Sequence, residues 1–470
     1  MRSKINTQSE FNFQPSNLQI TNEYYAKYEA ISTILDNTPA IVDAIHADWA
    51  VALEEAAVED RRGAKFKFTS DTILRIMLCQ IIEGCSLRQI VIRIDDSNYL
   101  RHFVRVYNGP MIDFTAFCKL RNLITPTTWK RVNALLAQSA VEQQLIEGDQ
   151  LRLDTTAVET NIHWPTDLSL LWDTYRTLAR IIEQIRENDP VLVGDRRLLL
   201  KKAKRLCQKI ARKASKHPRS AAKLEPLYLK LFRLVANILQ WSDEIADALA
   251  CKIAKRRYNL LAQAVMEFCL AELVHYRELG ACVLDQAQRR IIDKESVPNE
   301  EKIFSIFEPH TELLKRGKAG KPIEFGHMIQ IQQVDGKFIT DYDVFDAKPV
   351  EYELVEPALK RHKALFGQYP DTVTADKSYY ECMEEIERLS EIVQLVAIAK
   401  KGKRTEEQTQ REIDPAFQQA QRFRAGVEGT ISFLKRVLGL FRCYAKGWEH
   451  YKATIGATIL AHNLLILARC

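Results

Sequence analysis

The spacing of hydrophobic positions changes several times along the chain, and each change predicts an element. Across residues 69–124 apolar side chains recur every three or four positions, which predicts helices with one apolar face after the capping candidates Ser70 and Asp71. Gly84 is expected to end the first of these helices, and Ser86 is placed to cap the next one over residues 87–94. The region is therefore predicted to be all helical.

A helix, a short turn with a glycine and a second helix have the spacing of a helix-turn-helix motif. The second helix carries Arg88, Gln89 and Arg93, which can face a major groove or backbone phosphates. Most helix pairs of this kind only pack against each other. DNA contact and simple packing both remain open interpretations of this pair.

The next change comes at residues 150–162, where alternation and β-branched side chains predict a strand. After Pro165 the helical spacing continues to about residue 297. Two apolar seams with spacings of three and four run through it, at Leu171, Tyr175, Leu178, Ile182 and Ile185 and at Leu224, Leu227, Leu231, Leu234, Ile238, Trp241 and Ile245. They can pack on each other, or one can pair with a second copy of the protein.

From Phe325 the pattern predicts a hairpin that turns at Asp335 and Gly336, followed by alternating helices and strands. With the strand at 150–162 first, the order is three strands, helix, strand, helix, strand, helix. This is the order of a ribonuclease-H-like fold. The predicted class is α+β, with an N-terminal arm (1–67), a helical, helix-turn-helix-like DNA-binding domain (68–147) and a catalytic domain (148–470) interrupted by a helical insertion (167–297).

Composition describes a globular protein, with 46% hydrophobic and 27% charged residues among 470. The ten cysteines form no Cys-x-x-Cys pair, which indicates reduced thiols. The first thirty residues lack the apolar segment of a secretory signal, and residues 454–468 are too short to cross a bilayer about 30 Å thick. We expect a cytoplasmic protein whose last apolar segment is a buried core helix.

The net charge of +6 is modest, but basic residues are concentrated in residues 196–219, which contain no acidic side chain. The candidates for contact with a polyanion in this run are Lys201, Lys202, Arg205, Lys209 and Arg212. A solvated helix face is the alternative. A polyanion partner is favoured because like charges at this density repel one another unless an anion neutralises them.

Three acidic residues point to chemistry: Asp154 and Asp376 at predicted strand ends, and Glu428 on a predicted helix. Carboxylates from distant segments can converge on a divalent metal ion, whose charge allows them to coexist. Singly, each has a simpler explanation, as a turn or capping residue for the aspartates and as an ion-pair member for Glu428. Second-choice ligands are Glu159, Asp167, Asp371 and Glu412. The histidines show no zinc-binding spacing with the cysteines.

The chain resembles the bacterial insertion-sequence transposases with a DDE catalytic triad. The resemblance rests on residues 154–156, 321–327, 374–379 and 422–436, with residues 68–71 and 117–121 similar to the amino-terminal domain of the family. In the third motif of the family Arg424, Glu428 and Lys435 match, whereas Gln421 replaces a tyrosine.

The resemblance implies a transposase that binds the ends of its own element and carries out metal-dependent DNA cleavage and strand transfer. The triad Asp154, Asp376 and Glu428 would hold Mg²⁺ or Mn²⁺, as two ions about 4 Å apart that serve in-line phosphoryl transfer. Arg424, Lys435 and Lys377 would contact phosphates of double-stranded DNA. Joining two DNA ends implies a homodimer on DNA. The alternatives are a catalytically inactive DNA-binding relic and a nuclease of the same fold.

Overall fold

The described helices and strands follow these changes in spacing closely. In the computed structural model, residues 16–59, 68–214, 218–318 and 321–469 are described, and the chain forms two units. The first unit is made from residues 1–160 and 327–470, and the second from residues 161–326. The predicted insertion therefore corresponds to a separate unit with somewhat wider bounds.

The first unit begins with seven helices: α1 (Gln19–Asn37), α2 (Pro39–Glu59), α3 (Ser70–Ile82), α4 (Leu87–Asp96), α5 (Asn98–Phe103), α6 (Phe114–Asn122) and α7 (Pro126–Glu142). Ser86 caps α4 in a reciprocal arrangement with Gln89, as predicted for Ser86. The cap of α3 is Thr69, so the prediction of Ser70 or Asp71 was wrong by one or two residues. Asp71 instead forms an ion pair with the buried Arg75 at 2.8 Å.

The segment predicted as an N-terminal arm contributes to the core in its described part. Tyr28 and Trp49, on α1 and α2, are fully buried, and the Trp49 indole N–H donates to the Leu120 carbonyl at 2.7 Å. Both side chains share one hydrophobic cluster with α3 to α7. Helices α1 and α2 therefore stabilise the unit by apolar burial.

The rest of the first unit is a sheet with flanking helices. Its elements are β1 (Gln150–Thr160), β3 (Lys321–Gln333, of which residues 327–333 belong here), β4 (Ile339–Val344), α13 (Val355–Phe366), β5 (Thr372–Ala375), α14 (Met383–Ser390), β6 (Leu395–Ile398), α15 (Glu406–Ile413), α16 (Pro415–Arg436), β7 (Arg442–Cys443) and α17 (Trp448–Leu467). The strand order is β3-β1-β5-β6, with β4 on β3 and β7 on β1. Strands β1, β5 and β6 run parallel, whereas β4 runs antiparallel to β3. This mixed open sheet has the ribonuclease-H-like arrangement expected from the sequence.

Helix α17 is the buried core helix predicted from residues 454–468. Its buried Asn463 forms two hydrogen bonds with the backbone of β4: it accepts from the Ile339 N–H at 3.0 Å and donates to the Ile339 carbonyl at 2.8 Å. A polar side chain in an apolar helix is thus fully used by the sheet. No helix in the described ranges has the length and hydropathy needed to span a membrane.

The second unit is mainly helical. Its elements are α8 (Asp167–Asn188), α9 (Pro190–Val193), α10 (Leu200–Lys213), α11 (Pro218–Ala254), α12 (Leu260–Ile291), β2 (Glu312–Lys318) and the first part of β3, which pairs antiparallel with β2. Both predicted apolar seams enter one hydrophobic cluster, so α8 and α11 pack together within the chain. At Gly280 of α12 an added Cβ would lie 2.5 Å from Thr174 of α8, which explains a glycine inside this helix. Strands β2 and β7 were not predicted.

Candidate active site

The parallel pairing of β1 with β5 brings two of the predicted carboxylates together. In the register of these strands Leu151 lies opposite Val373 and Leu153 opposite Ala375. Asp154 and Asp376 each come directly after the last of these pairs. Because the strands run in the same direction, their side chains are held at neighbouring positions of one sheet edge.

The pKa of Asp154 reflects the nearby charge of Asp376. Burial, and next the charge of Asp376, raise the pKa of Asp154 to about 7. The Thr155 backbone N–H, which donates to Asp154 Oδ1 at 2.8 Å, and the guanidinium of Arg424 act in the opposite direction on this pKa. Two carboxylates that repel each other in a partly desolvated site are a setting in which a divalent cation is favoured.

Asp376 also performs the capping role that was considered as its simpler explanation. Its Oδ1 accepts from the backbone N–H of Ser378 at 2.5 Å and from the Ser378 hydroxyl, so the carboxylate is oriented by the turn that follows β5. Its Oδ2 has no hydrogen bond to the described residues. The neighbouring Lys377 is exposed. Capping and metal binding are therefore compatible at this residue.

Helix α16 packs over β1, β5 and β6, and the side chain of Arg152 fixes its position. Arg152 donates to the Phe423 carbonyl at 2.6 Å and to Gln333 at 2.8 Å, and burial lowers its pKa to about 10. An added Cβ at Gly426 would lie 2.4 Å from the Arg152 guanidinium. The glycine two residues before Glu428 thus leaves room for the arginine that anchors this helix.

Gln421 occupies the position where the resembling family has tyrosine. Its amide nitrogen donates to the Ala397 carbonyl at 2.5 Å and to Thr374 Oγ1 at 3.3 Å. These bonds join α16 to β6 and β5. Gln421 therefore has a structural role at this position, one turn before Arg424.

Glu428 lies on the same helix but is not in contact with the aspartates. Its side chain is 69% exposed, and its ion-pair partner is Arg424 at 3.5 Å. No group of three histidine, cysteine or acidic side chains close enough for a metal ion occurs within the described ranges. The structure thus brings Asp154 and Asp376 together and places Glu428 on the adjacent helix, four residues after the arginine that acts on Asp154.

A third carboxylate near Asp154 was not predicted from the sequence: Glu351, in the short 3-10 turn Glu351–Leu354. It accepts a hydrogen bond from the Thr155 hydroxyl, and its charge also contributes to the raised pKa of Asp154. Glu351 belongs to no motif. Its position follows from the chain path after β4, which short-range patterns do not give.

Tyr379, inside the motif at residues 374–379, is a second residue to which no role was given. It is buried, and the charges of Asp154 and Glu351 add to burial in raising its pKa far above the usual range. The side chain of Gln330 lies beside the Tyr379 hydroxyl and acts in the opposite direction on its pKa. A polar but uncharged hydroxyl therefore lies beside the carboxylates.

The second-choice ligands are engaged elsewhere. Glu159 pairs with Arg442 at 2.8 Å, Asp167 with Arg290 at 2.8 Å and Glu412 with Arg404 at 2.8 Å, and Asp371 accepts from Gln394 at 2.9 Å. Each of these carboxylates is stabilised by its own partner. They do not compete with Asp154 and Asp376 for a shared cation.

The candidate recognition helix α4 uses its polar residues partly for packing. Arg93 pairs with the largely buried Glu83 at 2.5 Å, and the Arg88 guanidinium lies 4.3 Å from the centre of the Phe114 ring. Gln89 is used in the cap of α4. Arg88 and Arg93 are nevertheless exposed, so contact with DNA stays a prediction.

In the second unit the basic run forms one wall of a groove of about 1180 Å³ between α10 and α11. Its lining includes Lys201, Lys202, Arg205 and Lys209 from α10 together with Lys230 and Arg233 from α11, all exposed. No acidic residue lines the groove. Arg212, on the same helix, is exposed but does not line it. The opposite face of α10 is buried at Ala203, Cys207 and Ile210, so helical spacing separates core from charge.

The donors at the sheet edge fit a hard divalent cation. Oxygen ligands from ionised carboxylates suit Mg²⁺ or Mn²⁺, and Asp154 and Asp376 are the residues that would supply them, with Glu428 or Glu351 as a candidate third ligand. Burial first, and then the charge of Asp376, penalise the ionised form of Asp154, and a divalent cation would relieve the repulsion between the two carboxylates.

Asp154→Asn is expected to change how stability depends on pH. In the folded protein Asp154 keeps its proton up to about pH 7, whereas the unfolded chain releases it near the ordinary value of 3.8. The native stability gained from this proton is complete below that value and is lost as the pH rises through about 7. In EDTA, the variant should therefore gain about 1–3 kcal/mol of unfolding free energy at pH 8 relative to pH 4, compared with the native chain. Chemical denaturation across this range measures the difference, and parallel curves would contradict it.

The fold and the paired carboxylates define a class of proteins with a ribonuclease-H-like catalytic domain. Two family models match the chain: the transposase DDE domain at residues 288–464 and a transposase domain (DUF772) at residues 26–123. Together they cover more than half of the sequence, and they include Asp376 and Glu428, while Asp154 lies outside both. The chain belongs to the insertion-sequence DDE transposases. No curated protein and no solved structure gives a significant match.

Proposed function

We propose that the protein binds the ends of its own mobile element and catalyses metal-dependent cleavage and strand transfer of DNA at the sheet edge that carries Asp154 and Asp376. The observation that supports this proposal most strongly is the parallel pairing that sets these two carboxylates side by side in a chain with both transposase domains. Glu428 completes the carboxylate set.

A bound pair of Mg²⁺ or Mn²⁺ ions would supply the charge that activates an attacking oxygen and stabilises a leaving oxygen in phosphoryl transfer. The residues of the chain position and orient the reactants. Asp376 is held by Ser378, and Asp154 by the strand register and the Thr155 N–H. Glu428 reaches the site by a change of side-chain conformation on α16, whose backbone Arg152 anchors.

Basic residues supply the DNA contacts in this proposal. Arg424 and Lys435 flank Glu428 on α16, and Lys377 follows Asp376, so all three are near the scissile phosphate. The groove of the second unit adds sequence-independent contacts to the DNA backbone. Arg88 and Arg93 contribute from α4. Because the reaction joins two element ends, the active form is a homodimer on DNA.

Cleavage of duplex DNA that carries the sequence flanking the gene tests the proposal. The native chain with Mg²⁺ is expected to cut at the element end, whereas Asp376→Asn binds the same DNA and cuts at least about 10³-fold more slowly. Glu391→Gln, which removes the charge of an exposed carboxylate outside the proposed site, is the control. Binding without cutting by the native chain, in Mn²⁺ as well, would support the inactive relic. Equal cutting of unrelated DNA or RNA would support a nuclease.

A further inference from the structure

The first unit contains a cleft of about 910 Å³ that the proposed catalytic site does not use. Its walls come from the end of α3, the start of α4, one side of α6, residues 438–446 and the first half of α17. Leu87, Leu438 and Leu440 give it apolar surface. Its size falls within the range of sites that hold small organic molecules rather than bare ions.

Arg121 of α6 lines this cleft without a matching negative charge. Its guanidinium makes two long hydrogen bonds to neutral oxygens, at 3.4 Å to Gln80 Oε1 and at 3.2 Å to Thr454 Oγ1. No aspartate or glutamate lines the cleft, and none in the described ranges forms an ion pair with Arg121. A desolvated guanidinium is costly unless an anion is paired with it, and burial accordingly lowers the pKa of Arg121.

Other cations and two aromatic rings surround the same space. Arg88 and Lys446 line the cleft, with Arg88 stacked over the Phe114 ring at 4.3 Å. Tyr444 also lines it, with 72% of its surface exposed. Proteins that bind single-stranded nucleic acid stack a base on an exposed aromatic ring and hold its phosphate with nearby cations. Tyr444 and the cations of the cleft have this arrangement.

We propose that this cleft binds one nucleotide of a DNA strand that has left the duplex, with its phosphate on Arg121 and its base against Tyr444. A phosphate satisfies the unmatched guanidinium, and a base suits the aromatic and apolar walls, which a phosphate ion alone leaves unused. The inference rests on the proposed function in that DNA is taken as the partner. It adds a second, non-catalytic site for a single-stranded segment.

Fluorescence anisotropy with a short single-stranded oligonucleotide bearing a 5′-phosphate tests the inference on the full chain in EDTA. Tyr444→Ala and Arg121→Gln are each expected to weaken single-strand binding about tenfold or more, with duplex binding changed less than twofold. Phe441→Ala and Lys119→Gln are matched controls, because they remove an aromatic ring and a cation nearby but do not line the cleft. Thermal unfolding shows whether Arg121→Gln is folded. If that variant is unfolded, Tyr444→Ala still tests the inference, because Tyr444 is exposed and its replacement leaves the core unchanged.

Competition separates the sources of the ligand. Displacement of the oligonucleotide by its unlabelled form, and only weakly by a free nucleoside monophosphate, supports a DNA strand. Equal displacement by inorganic phosphate, or equal affinity in the cleft variants and controls, would overturn the inference. Asp376→Asn is expected to bind the single strand normally. A failed cleavage assay with intact, Arg121-dependent binding would thus count against the proposed catalysis and leave the cleft assignment in place.

Discussion

Glu428→Gln is expected to reduce Mg²⁺-dependent strand cleavage by about 10³-fold or more, whereas Glu351→Gln should retain activity within about tenfold of the native chain. The structure makes this pair informative, because Glu351 is the nearer of the two carboxylates to Asp154 while Glu428 matches the third motif of the family. Glutamine keeps the size and polarity of either side chain but loses the charge a metal ion requires. Single-turnover cleavage at saturating enzyme measures both variants.

The expected difference has a physical basis in what each glutamate already does. Glu351 accepts the Thr155 hydroxyl and so helps to hold the backbone next to Asp154, a positioning role that glutamine can still fill. Glu428 has a side chain that is 69% exposed and an ion pair with Arg424 at 3.5 Å, so its described contacts restrain it only weakly. The reverse result, with Glu351→Gln inactive and Glu428→Gln active, would transfer the third ligand to Glu351. Binding of Mn²⁺, followed by calorimetry, distinguishes loss of a ligand from loss of a later step.

Replacing Lys201, Lys202, Arg205 and Lys209 together by glutamine is expected to lower affinity for duplex DNA about one hundredfold at low salt. The four side chains form one wall of a groove that contains no carboxylate, so removing them removes contacts to phosphates rather than internal ion pairs. The magnitude of the slope of log affinity against log salt should fall by about 3.6, since each of the four phosphate contacts contributes about 0.9. Titrations at several salt concentrations measure the slope directly.

A double comparison tests whether the groove or the total charge is responsible. Lys201→Gln with Arg205→Gln removes two cations from the groove, and Lys204→Gln with Arg212→Gln removes two from the same helix outside its lining. The first pair should have the larger effect on the salt slope. Equal slopes would favour a diffuse electrostatic attraction over a groove that follows the DNA backbone.

Local spacing was sufficient to predict most elements because burial imposes it. The seam ending at Ile245 reflects one buried helix face, and Gly336, with φ of 65°, marks the turn of the hairpin. Strand β1 is buried on both faces along most of its length. Strand β7 gave no predictive pattern, because a two-residue strand is defined by its partner and not by its own side chains. The seven residues of β2 do not alternate between apolar and polar. Helices α1 and α2 were underestimated for a related reason, since their burial depends on α3 and α7.

In the candidate site, too, some residues could be predicted from local patterns and others could not. Asp376 follows the buried strand β5 as predicted, whereas Asp154 lies inside β1, so the prediction that it ends its strand was wrong. Parallel pairing nevertheless brings the two sequence positions together. Glu351 and Arg152 could not be assigned from motifs. The role of Glu351 depends on the path of the chain after β4, and that of Arg152 on the packing of α16 against the sheet. Arg152 did carry a signal, since it shares the face of β1 with Asp154 two residues later.

The pairing of β1 with β5 also determines when, during synthesis, the proposed catalytic site can form. Strand β1 leaves the ribosome early, but its catalytic neighbour on β5 is synthesised only after the whole helical unit, and Arg442 and α17 complete the same core later still. The basic helices α10 and α11 are therefore synthesised before Asp376, and so before the two carboxylates can be aligned. Under the proposed function, a product of synthesis that stops before β5 would keep basic helices for DNA binding but lack the second carboxylate for cleavage, and would compete with the full-length protein for DNA.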